Sequence, residues 1–306
     1  MILARSSGTA RRTLRLWLAL AAAVAVVLSA AGVGSSATVG LRTDTHGCLV
    51  ANPRANRSYP TLQAANDAPT TLAGDTLTVR GACFGATTIS KSLTIVGKLR
   101  HGRLGTVSLN GGDVDKAVVT VVGGVTVAMK NLLITGGANV GGLGGAVSNA
   151  GGMVTLTNTT VTGNTARLGG GIYNVGGGTL TLNNSTVSNN TADAGAGAGI
   201  YNDQAVVTLN NSTVTGNTGA AYGGGISNHY GTLRLNNSTV SKGTARFGGG
   251  IFNDGSATLT DSIVTGNAAQ CAGGIYNAGA ITLHGSSTVS GNNPDDRVGP
   301  LGEWGC

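Results

Sequence analysis

A unit of about 25 residues recurs six times between residues 144 and 292, and this periodicity constrains the fold more than any other feature. Each copy combines a Gly-rich run, an Ile-Tyr-Asn-type triplet, a short apolar alternation and a segment similar to Asn-Ser-Thr-Val. The triplet's Asn recurs at steps of 25, 28, 26, 25 and 24 residues, at Asn149, Asn174, Asn202, Asn228, Asn253 and Asn277. Spacing this regular predicts stacked structural repeats.

Each copy contains three β-branched or apolar stretches of about four residues, which is the length and period of a strand. The pattern predicts an all-β solenoid with three short strands per coil, whose stacked coils enclose an apolar interior. The inward positions predicted in three consecutive copies are Ile172, Asn174, Leu180, Leu182, Ser185 and Val187, then Val207, Leu209, Ser212 and Val214, then Leu233, Leu235, Ser238 and Val240. The recurring Asn residues are interpreted as asparagine ladders between coils.

Composition and charge exclude several other classes of protein. The chain has 53 Gly but no strict Gly-X-Y period, which excludes collagen, and at 41% hydrophobic and 10% charged residues it does not have the composition of a disordered chain. The formal net charge is +7, but four of the 19 basic residues lie in residues 1–37, which hold no acidic residue. The remaining charges form no basic stripe, so we predict no nucleic-acid partner.

The first 37 residues have the pattern of a signal peptide. Arg5, Arg11, Arg12 and Arg15 precede an apolar run from Leu16 to about Ala31, and small residues suited to cleavage follow. A retained membrane anchor is the alternative, but the run is shorter than the roughly 20 residues of a spanning helix. We therefore expect a secreted, extracellular protein with no membrane span after signal removal.

Four cysteines in an exported chain predict two disulfides. Three connectivities are possible. Pairing near neighbours, Cys48 with Cys83 and Cys271 with Cys306, would attach each terminus to its end of the solenoid, and this is the pairing we predict. No Cys-x-x-Cys or nearby Cys/His spacing indicates zinc, so no metal site is expected.

A resemblance to a known family comes from the segment before the repeats. Residues 59–68 fit a short helix with Thr61 as a possible N-cap, and they precede Gly-Asp-Thr-Leu-Thr-Val, Ser-Leu-Thr-Ile-Val-Gly and the Gly-Gly-Gly-Ile-Tyr-Asn coils. This order resembles the exported bacterial right-handed parallel β-helix proteins of the pectin-lyase-like superfamily. The resemblance covers about residues 48–292 and implies a right-handed parallel β-helix with a short N-terminal capping helix.

On this basis we divide the chain into four regions: a signal peptide (1–37), an N-terminal segment with the capping helix (38–72), the parallel β-helix (73–292) and a C-terminal cap (293–306). The resemblance is specific for fold and not for activity, because the superfamily includes polysaccharide lyases, hydrolases, adhesins and many proteins of unknown role. Its enzymes use clustered carboxylates, often calcium, and an Arg or Lys, and no motif of this chain matches a lyase or polygalacturonase residue by residue.

The leading hypothesis is therefore an exported, non-catalytic protein whose rigid surface binds carbohydrate or a cell-surface partner, with no cofactor. The alternative is a polysaccharide lyase or hydrolase acting on acidic glycans, and calcium is expected only under that alternative. A structural spacer without a ligand is a third interpretation. The oligomeric state is left open.

Two outward columns supply the candidate site residues. The position between the inward Ile and Asn of each triplet carries aromatic rings that could support a sugar, at Tyr173, Tyr201, Phe252 and Tyr276; alternatively, neighbouring rings stack only on each other. The position after the ladder Asn reads Asp203, His229 and Asp254 in three successive coils, which would place an imidazole between two carboxylates about 10 Å apart. Such a column could act as a catalytic acid or base, or could be a solvated turn.

Overall fold

The fold is a stack of short strands, described by a computed structural model over residues 47–99, 106–112 and 115–298. It is a parallel β-solenoid of about eight turns, nearly all β, which confirms the predicted fold class. The predicted signal peptide (1–37) and Cys306 lie outside the described residues.

Within the described residues the strands form four sheets, of which three run along the stack and one is shorter. Sheet A has the order Arg57–Tyr59, Leu49–Asn52, Thr76–Arg80, Leu93–Gly97, Thr126–Lys130, Met153–Thr157, Thr179–Asn183, Val206–Asn210, Thr232–Asn236, Ser256–Thr260, Ala280–His284. Sheet B has the order Ala82–Phe84, Ser108–Asn110, Leu133–Thr135, Thr160–Thr162, Thr186–Ser188, Thr213–Thr215, Thr239–Ser241, Ile263–Thr265, Thr288–Ser290.

Sheet C carries the Ile-Tyr-Asn-type triplets, in the order Thr87–Ile89, Val119–Val121, Val147–Ala150, Ile172–Val175, Ile200–Asp203, Ile226–His229, Ile251–Asn253, Ile275–Asn277, Arg297–Val298. The shorter sheet D lies between sheets B and C along the chain, in the order Ala138–Leu143, Thr165–Leu168, Thr191–Ala192, Thr218–Gly219, Thr244–Phe247, Ala268–Cys271. Three strands per coil were predicted, and sheet D adds a fourth to the coils that contain it. All coil-to-coil pairings are parallel; the first two strands of sheet A pair antiparallel.

The interior follows the predicted alternation. Ile172, Leu180, Leu182 and Val187 are fully buried, and their equivalents in the following coils pair with them in direct register. Burying a side chain of this size stabilises a fold by about 1.5–3 kcal/mol, so the repeated column is the main source of stability. Successive coils lie about 4.8 Å apart, the spacing of hydrogen-bonded strands.

Backbone conformation and close backbone contacts explain the Gly run before the triplet that begins at Ile226. Gly223 has φ +63, and a Cβ there would lie 2.2 Å from the carbonyl oxygen of Ile226. A Cβ on Gly224 would lie 2.5 Å from the backbone of Thr244 in the next coil. Only glycine fits both positions, because one needs a positive φ and the other has no space.

The triplet Asn residues form the predicted ladder. Each Nδ2 group donates to the Oδ1 atom of the next coil's Asn, with N–O distances of 2.7–2.9 Å from Asn149 through to Asn277. Asn202 and Asn228 are fully buried, so this is a polar spine inside an apolar core. A second, outward ladder joins Asn236 to Asn210 and Asn210 to Asn183 at 2.9 and 2.8 Å.

The N-terminal end contains the predicted helix and disulfide. The helix Leu62–Asp67 begins after Thr61, whose hydroxyl accepts a hydrogen bond from Ala64 N at 3.1 Å, and it packs Leu62 into the same core as the coils. Cys48 and Cys83 form a disulfide, as predicted. The second predicted pair, Cys271–Cys306, includes a residue outside the described part and stays a prediction.

Beside them, a buried carboxylate holds the first turns together. Asp75 is 4% exposed and accepts hydrogen bonds from Asn52 Nδ2 at 2.7 Å, Leu72 N at 2.9 Å and the Arg54 guanidinium. The Arg54 hydrogen bond, followed by those from Asn52 and Leu72, holds the pKa of Asp75 well below its usual range even though burial opposes this.

Candidate functional site

The aromatic residues predicted to form an outward column do lie in register on sheet C, and their rings stack in two pairs. Tyr173 lies parallel to Tyr201, with ring centroids 5.4 Å apart and planes 5° from parallel. Phe252 and Tyr276 stack in the same way, at 5.3 Å and 8°. Stacking between coils therefore accounts for part of this column, as one of the two interpretations expected.

Ser227 interrupts the column between the two pairs. It is paired in register with Tyr201 on one side and with Phe252 on the other, so the sequence has a small side chain where a third ring would lie. Here the surface opens into a cavity of about 810 Å³, of which Ser227, 2% exposed, forms part of the floor. The interruption turns a continuous ring stack into a cleft.

Aromatic side chains also form the walls of this cleft. Tyr222 comes five residues before Ser227 in the same coil and packs on Phe252 at 4.7 Å and on Phe247 at 5.4 Å between ring centroids. Tyr230 comes three residues after Ser227 and is 66% exposed at the rim. The cleft therefore has a buried floor and solvent-exposed walls, as expected of a site that binds a ligand with both apolar and polar surface.

The two carboxylates and the imidazole at one side of the cleft are arranged only partly as predicted. Asp203, His229 and Asp254 do follow one another in successive coils, because Asp203 pairs with His229 and Asp254 N donates to Asn228 O. The structure brings only two of them together: His229 Nδ1 and Asp254 Oδ2 are 2.6 Å apart. Tyr230 N donates to the other Asp254 oxygen at 2.7 Å.

Asp203 plays a different part. Asp203 is the last residue of the strand Ile200–Asp203, whereas Asp254 directly follows the strand Ile251–Asn253. Asp203 Oδ1 is buried, and among the described residues it has no hydrogen-bond partner. The symmetric arrangement of two carboxylates around one imidazole is therefore replaced by a single His229–Asp254 pair.

The His229–Asp254 pair fixes the chemistry of the imidazole. With Nδ1 bound to a carboxylate, Nε2 is the ring nitrogen left for a ligand, and the His229 side chain is 37% exposed. An imidazole oriented by a carboxylate can move a proton or hydrogen-bond a hydroxyl. Both residues line the cleft, so either role is open to a bound ligand.

Charges of both signs lie near the cleft: Asp203 and Asp254 are on one side, and the Arg246 guanidinium lies over the Phe247 ring of the wall, 5.1 Å from its centroid. Burial, followed by the carboxylate of Asp203 and then by Tyr173 and Asp254, raises the pKa of Tyr201 to about 12. Burial and then Asp203 also raise the pKa of Tyr173. No Lys or Arg side chain lines the cleft, all of whose lining residues lie within the described range 168–278.

The predicted ring residues divide between the cleft and its surroundings. Tyr201, Phe252 and Tyr276 line the cleft, although Tyr276 is only 3% exposed and packs on Cys271 and Ala272. Tyr173 lies behind Tyr201, where it supports that ring through the stack.

Two wall residues, Tyr222 and Phe247, were not predicted. Each directly precedes a Gly-Gly-Gly run, where the earlier copy has Leu168. Aligning that position across the copies would have shown that two of them carry a ring there.

Comparisons with known proteins add no identity: no family model, no curated protein and no solved structure matches the chain. In the part of the chain that the structure describes, no group of three or more His, Cys, Asp or Glu side chains is placed to hold a metal ion. The helix found among the described residues is too short to cross a membrane. The site therefore has to be interpreted from its own geometry.

Proposed function

We propose that this chain is an exported, non-catalytic β-helix protein that binds carbohydrate, with a partner's surface glycan as the natural target at or outside the cell surface. One observation carries the proposal: the aromatic cleft around Ser227, of about 810 Å³. Aromatic faces favour the C–H faces of sugar rings, and the adjacent His229 and Asp254 supply groups that hydrogen-bond hydroxyls. Because the cleft lies on stacked, hydrogen-bonded coils, it is preorganised and binding orders little of the chain.

Export and ancestry belong to the same proposal. The Cys48–Cys83 disulfide supports an oxidising compartment, and the pattern of residues 1–37 supports secretion. The parallel coils and the N-terminal helix support membership of the pectin-lyase-like superfamily among bacterial proteins. In that superfamily the fold alone does not decide activity, so the cleft carries the functional argument.

The binding proposal is tested with the chain lacking residues 1–37 on a glycan array, followed by calorimetric titration of any glycan retained. Tyr222→Ala should weaken binding at least tenfold, because Tyr222 is a wall of the cleft; its ring also packs on Phe247 and Phe252 of the next coil, so the melting temperature of the variant is measured beside its affinity. If instead Tyr173→Ala abolishes binding and Tyr222→Ala does not, the glycan lies along the ring column and the cleft is not the site. No retention of any glycan would contradict carbohydrate binding altogether.

A second function, cleavage of acidic glycans by a lyase or hydrolase mechanism, is favoured by one observation, the His229–Asp254 pair. Its test is incubation with a panel of acidic polysaccharides, with and without calcium, following unsaturated products and new reducing ends. Turnover that is lost in His229→Ala would establish an enzyme and overturn the non-catalytic proposal. Turnover that survives in that variant would place the chemistry elsewhere.

A further inference from the structure

The last ring of the sheet C column is covered more completely than its place in the column explains. Tyr276 is 3% exposed, whereas Tyr173, Tyr201 and Phe252 of the same column are half-buried. Phe252 stacks on Tyr276 at 5.3 Å, and among the described residues only the short strand Arg297–Val298 follows Tyr276 in sheet C. A ring at the end of a stack has a stacking partner on one side only and should be the most exposed. Its near-complete burial indicates that further chain packs beside it.

A cysteine beside this ring connects it to a later part of the chain. Cys271 and Tyr276 belong to the same small buried cluster. Cys271 is disulfide-bonded, and Cys48 and Cys83 are bonded to each other, so the predicted partner, Cys306, is the cysteine of the sequence that remains for it. A disulfide holds its two Cα atoms about 5–6 Å apart. The predicted pair therefore brings residue 306 to the edge of the Tyr276 cluster.

The chain between Val298 and Cys306 is long enough to make this connection and too long to run straight. Val298 pairs with Tyr276 one coil along the stack, and Cys271 lies five residues before Tyr276 in its own coil. Five extended residues span about 17 Å at most, whereas eight span about 28 Å. The 299–306 segment therefore has the length to pass across the outer side of the coil before it reaches Cys271.

This segment contains one large aromatic side chain close to the predicted disulfide. Trp304 comes two residues before Cys306, so the two Cα atoms are within about 7 Å of each other. An indole buries a large apolar area and prefers to pack against another aromatic ring. Tyr276 is the ring of the Cys271 cluster, and Phe252 already stacks on one of its faces. The outer side of Tyr276 is therefore the apolar surface that Trp304 reaches first.

We infer that the 299–306 segment folds back over the outer side of the solenoid, with Trp304 packed on Tyr276 and the Cys271–Cys306 disulfide holding it there. Tyr276 also lines the aromatic cleft, so the segment borders the C-terminal end of that cleft. This docking goes beyond the proposed carbohydrate binding and does not depend on it.

Fluorescence tests the docking directly. The chain without residues 1–37 keeps Trp304 as its single tryptophan, because the other is Trp17. Packed on Tyr276, the indole should emit at a shorter wavelength than in the urea-unfolded chain, and acrylamide should quench it at least threefold less efficiently. Emission and quenching in the folded chain that equal those of the unfolded chain would overturn the inference.

The part played by the disulfide is tested by removing it. Replacing Cys271 and Cys306 together by serine should move the emission of Trp304 toward the unfolded value while the strand signal in circular dichroism is kept. The matched control replaces Cys48 and Cys83, which form the disulfide at the other end of the solenoid, and should keep the parental emission. Parental emission in the first variant would show that the disulfide does not hold the segment.

Additivity identifies the partner of Trp304. The losses in melting temperature from Trp304→Ala and Tyr276→Ala should not add in the double variant, because both remove the same contact. Tyr173→Ala is the matched control, since Tyr173 stacks on Tyr201 in the same column but lies four coils away, and its loss should add to that of Trp304→Ala. Full additivity with Tyr276→Ala would place Trp304 on another surface. Tyr276→Leu, which keeps an apolar side chain, takes its place if Tyr276→Ala does not fold.

Ligand binding separates this inference from the proposed function. A glycan that binds in the cleft should shift the emission of Trp304, because the 299–306 segment borders the site. Binding without such a shift would contradict that position of the segment. An empty glycan array would contradict carbohydrate binding, and the emission of the free chain would still decide whether the segment is docked.

Discussion

Replacing Asn202 by alanine should destabilise the solenoid far more than the same change one strand away at Asn210. Asn202 accepts a hydrogen bond from Asn174 Nδ2 at 2.9 Å, and its own Nδ2 donates to Asn228 Oδ1 at 2.7 Å and to Ala205 O at 3.0 Å. It is fully buried, so water cannot replace these partners.

The expected cost follows from what each partner retains. Asn174 Nδ2 still donates to Val206 O, and Ala205 O still accepts from Thr232 N, so these two losses are worth about 1 kcal/mol each. Asn228 Oδ1 loses its donor inside the core, and an unsatisfied buried acceptor costs about 1–3 kcal/mol. We therefore expect Asn202→Ala to lower the free energy of unfolding by about 4 kcal/mol.

Asn210 is the control because it makes a similar ladder at the surface. Its Nδ2 donates to Asn183 Oδ1 and its Oδ1 accepts from Asn236 Nδ2, but the residue is partly exposed and water can take over both roles. The cost of Asn210→Ala should be about 1 kcal/mol or less. Urea denaturation followed by circular dichroism measures both variants, with midpoints compared because stacked coils need not unfold in two states. Equal shifts in the two variants would refute the argument that burial gives the ladder its stability.

Further predictions concern the two ends of the solenoid and its disulfides. Hydrogen bonds to Asp75 lower the pKa of its carboxyl group in the folded chain. The carboxylate therefore stabilises the fold fully above the unfolded pKa near 4, and this stabilisation is lost as the pH falls toward the folded pKa. Asp75→Asn should flatten the decline in melting temperature between pH 5 and 2, and an unchanged slope would contradict this. Cys48→Ser opens a loop with a sequence separation of 35 residues and should cost about 4 kcal/mol, measured by urea denaturation; an unchanged midpoint would show that the N-terminal packing holds this end without the disulfide and would contradict the prediction. Non-reducing peptide mapping should show Cys271 linked to Cys306, and a Cys271 peptide with a free thiol would remove the predicted attachment of the C-terminus.

The repeat could be read from the sequence because each inward position accepts one kind of residue. Ile172, Ile200 and Ile226 occupy the same place in successive coils, so the sequence repeats wherever the structure does. Sheet D could not be predicted in the same way. Strands such as Thr191–Ala192 and Thr218–Gly219 are two residues long and too short to show an alternation, and parallel pairing with neighbouring coils is what defines them.

The cleft illustrates a different limit. The order of Asp203, His229 and Asp254 followed from register alone, but which carboxylate bonds the imidazole depends on side-chain orientation, which the register does not set. Phe247 ends a strand of sheet D, which the sequence did not reveal, and Tyr222 pairs with it through an isolated bridge, so neither ring could be placed at the wall of the cleft.

The freedom of outward positions to vary explains why the cleft lies on the outer surface of the coils. Every inward position of the coils is committed to packing, and a change there costs several kcal/mol, so the coils can differ freely only on their outward faces. The coil of Ser227 lacks the ring that its two neighbours carry in the column, and it supplies Tyr222, which packs on Phe252, and the exposed Tyr230. If only packing governed this column, a ring at position 227 would continue the stack from Tyr201 to Phe252 and stabilise it by about 1 kcal/mol at each contact. In this coil the ring that packs on Phe252 is that of Tyr222, which comes from outside the column, so the aromatic contact is kept while a different position of the coil shapes the wall of the cleft.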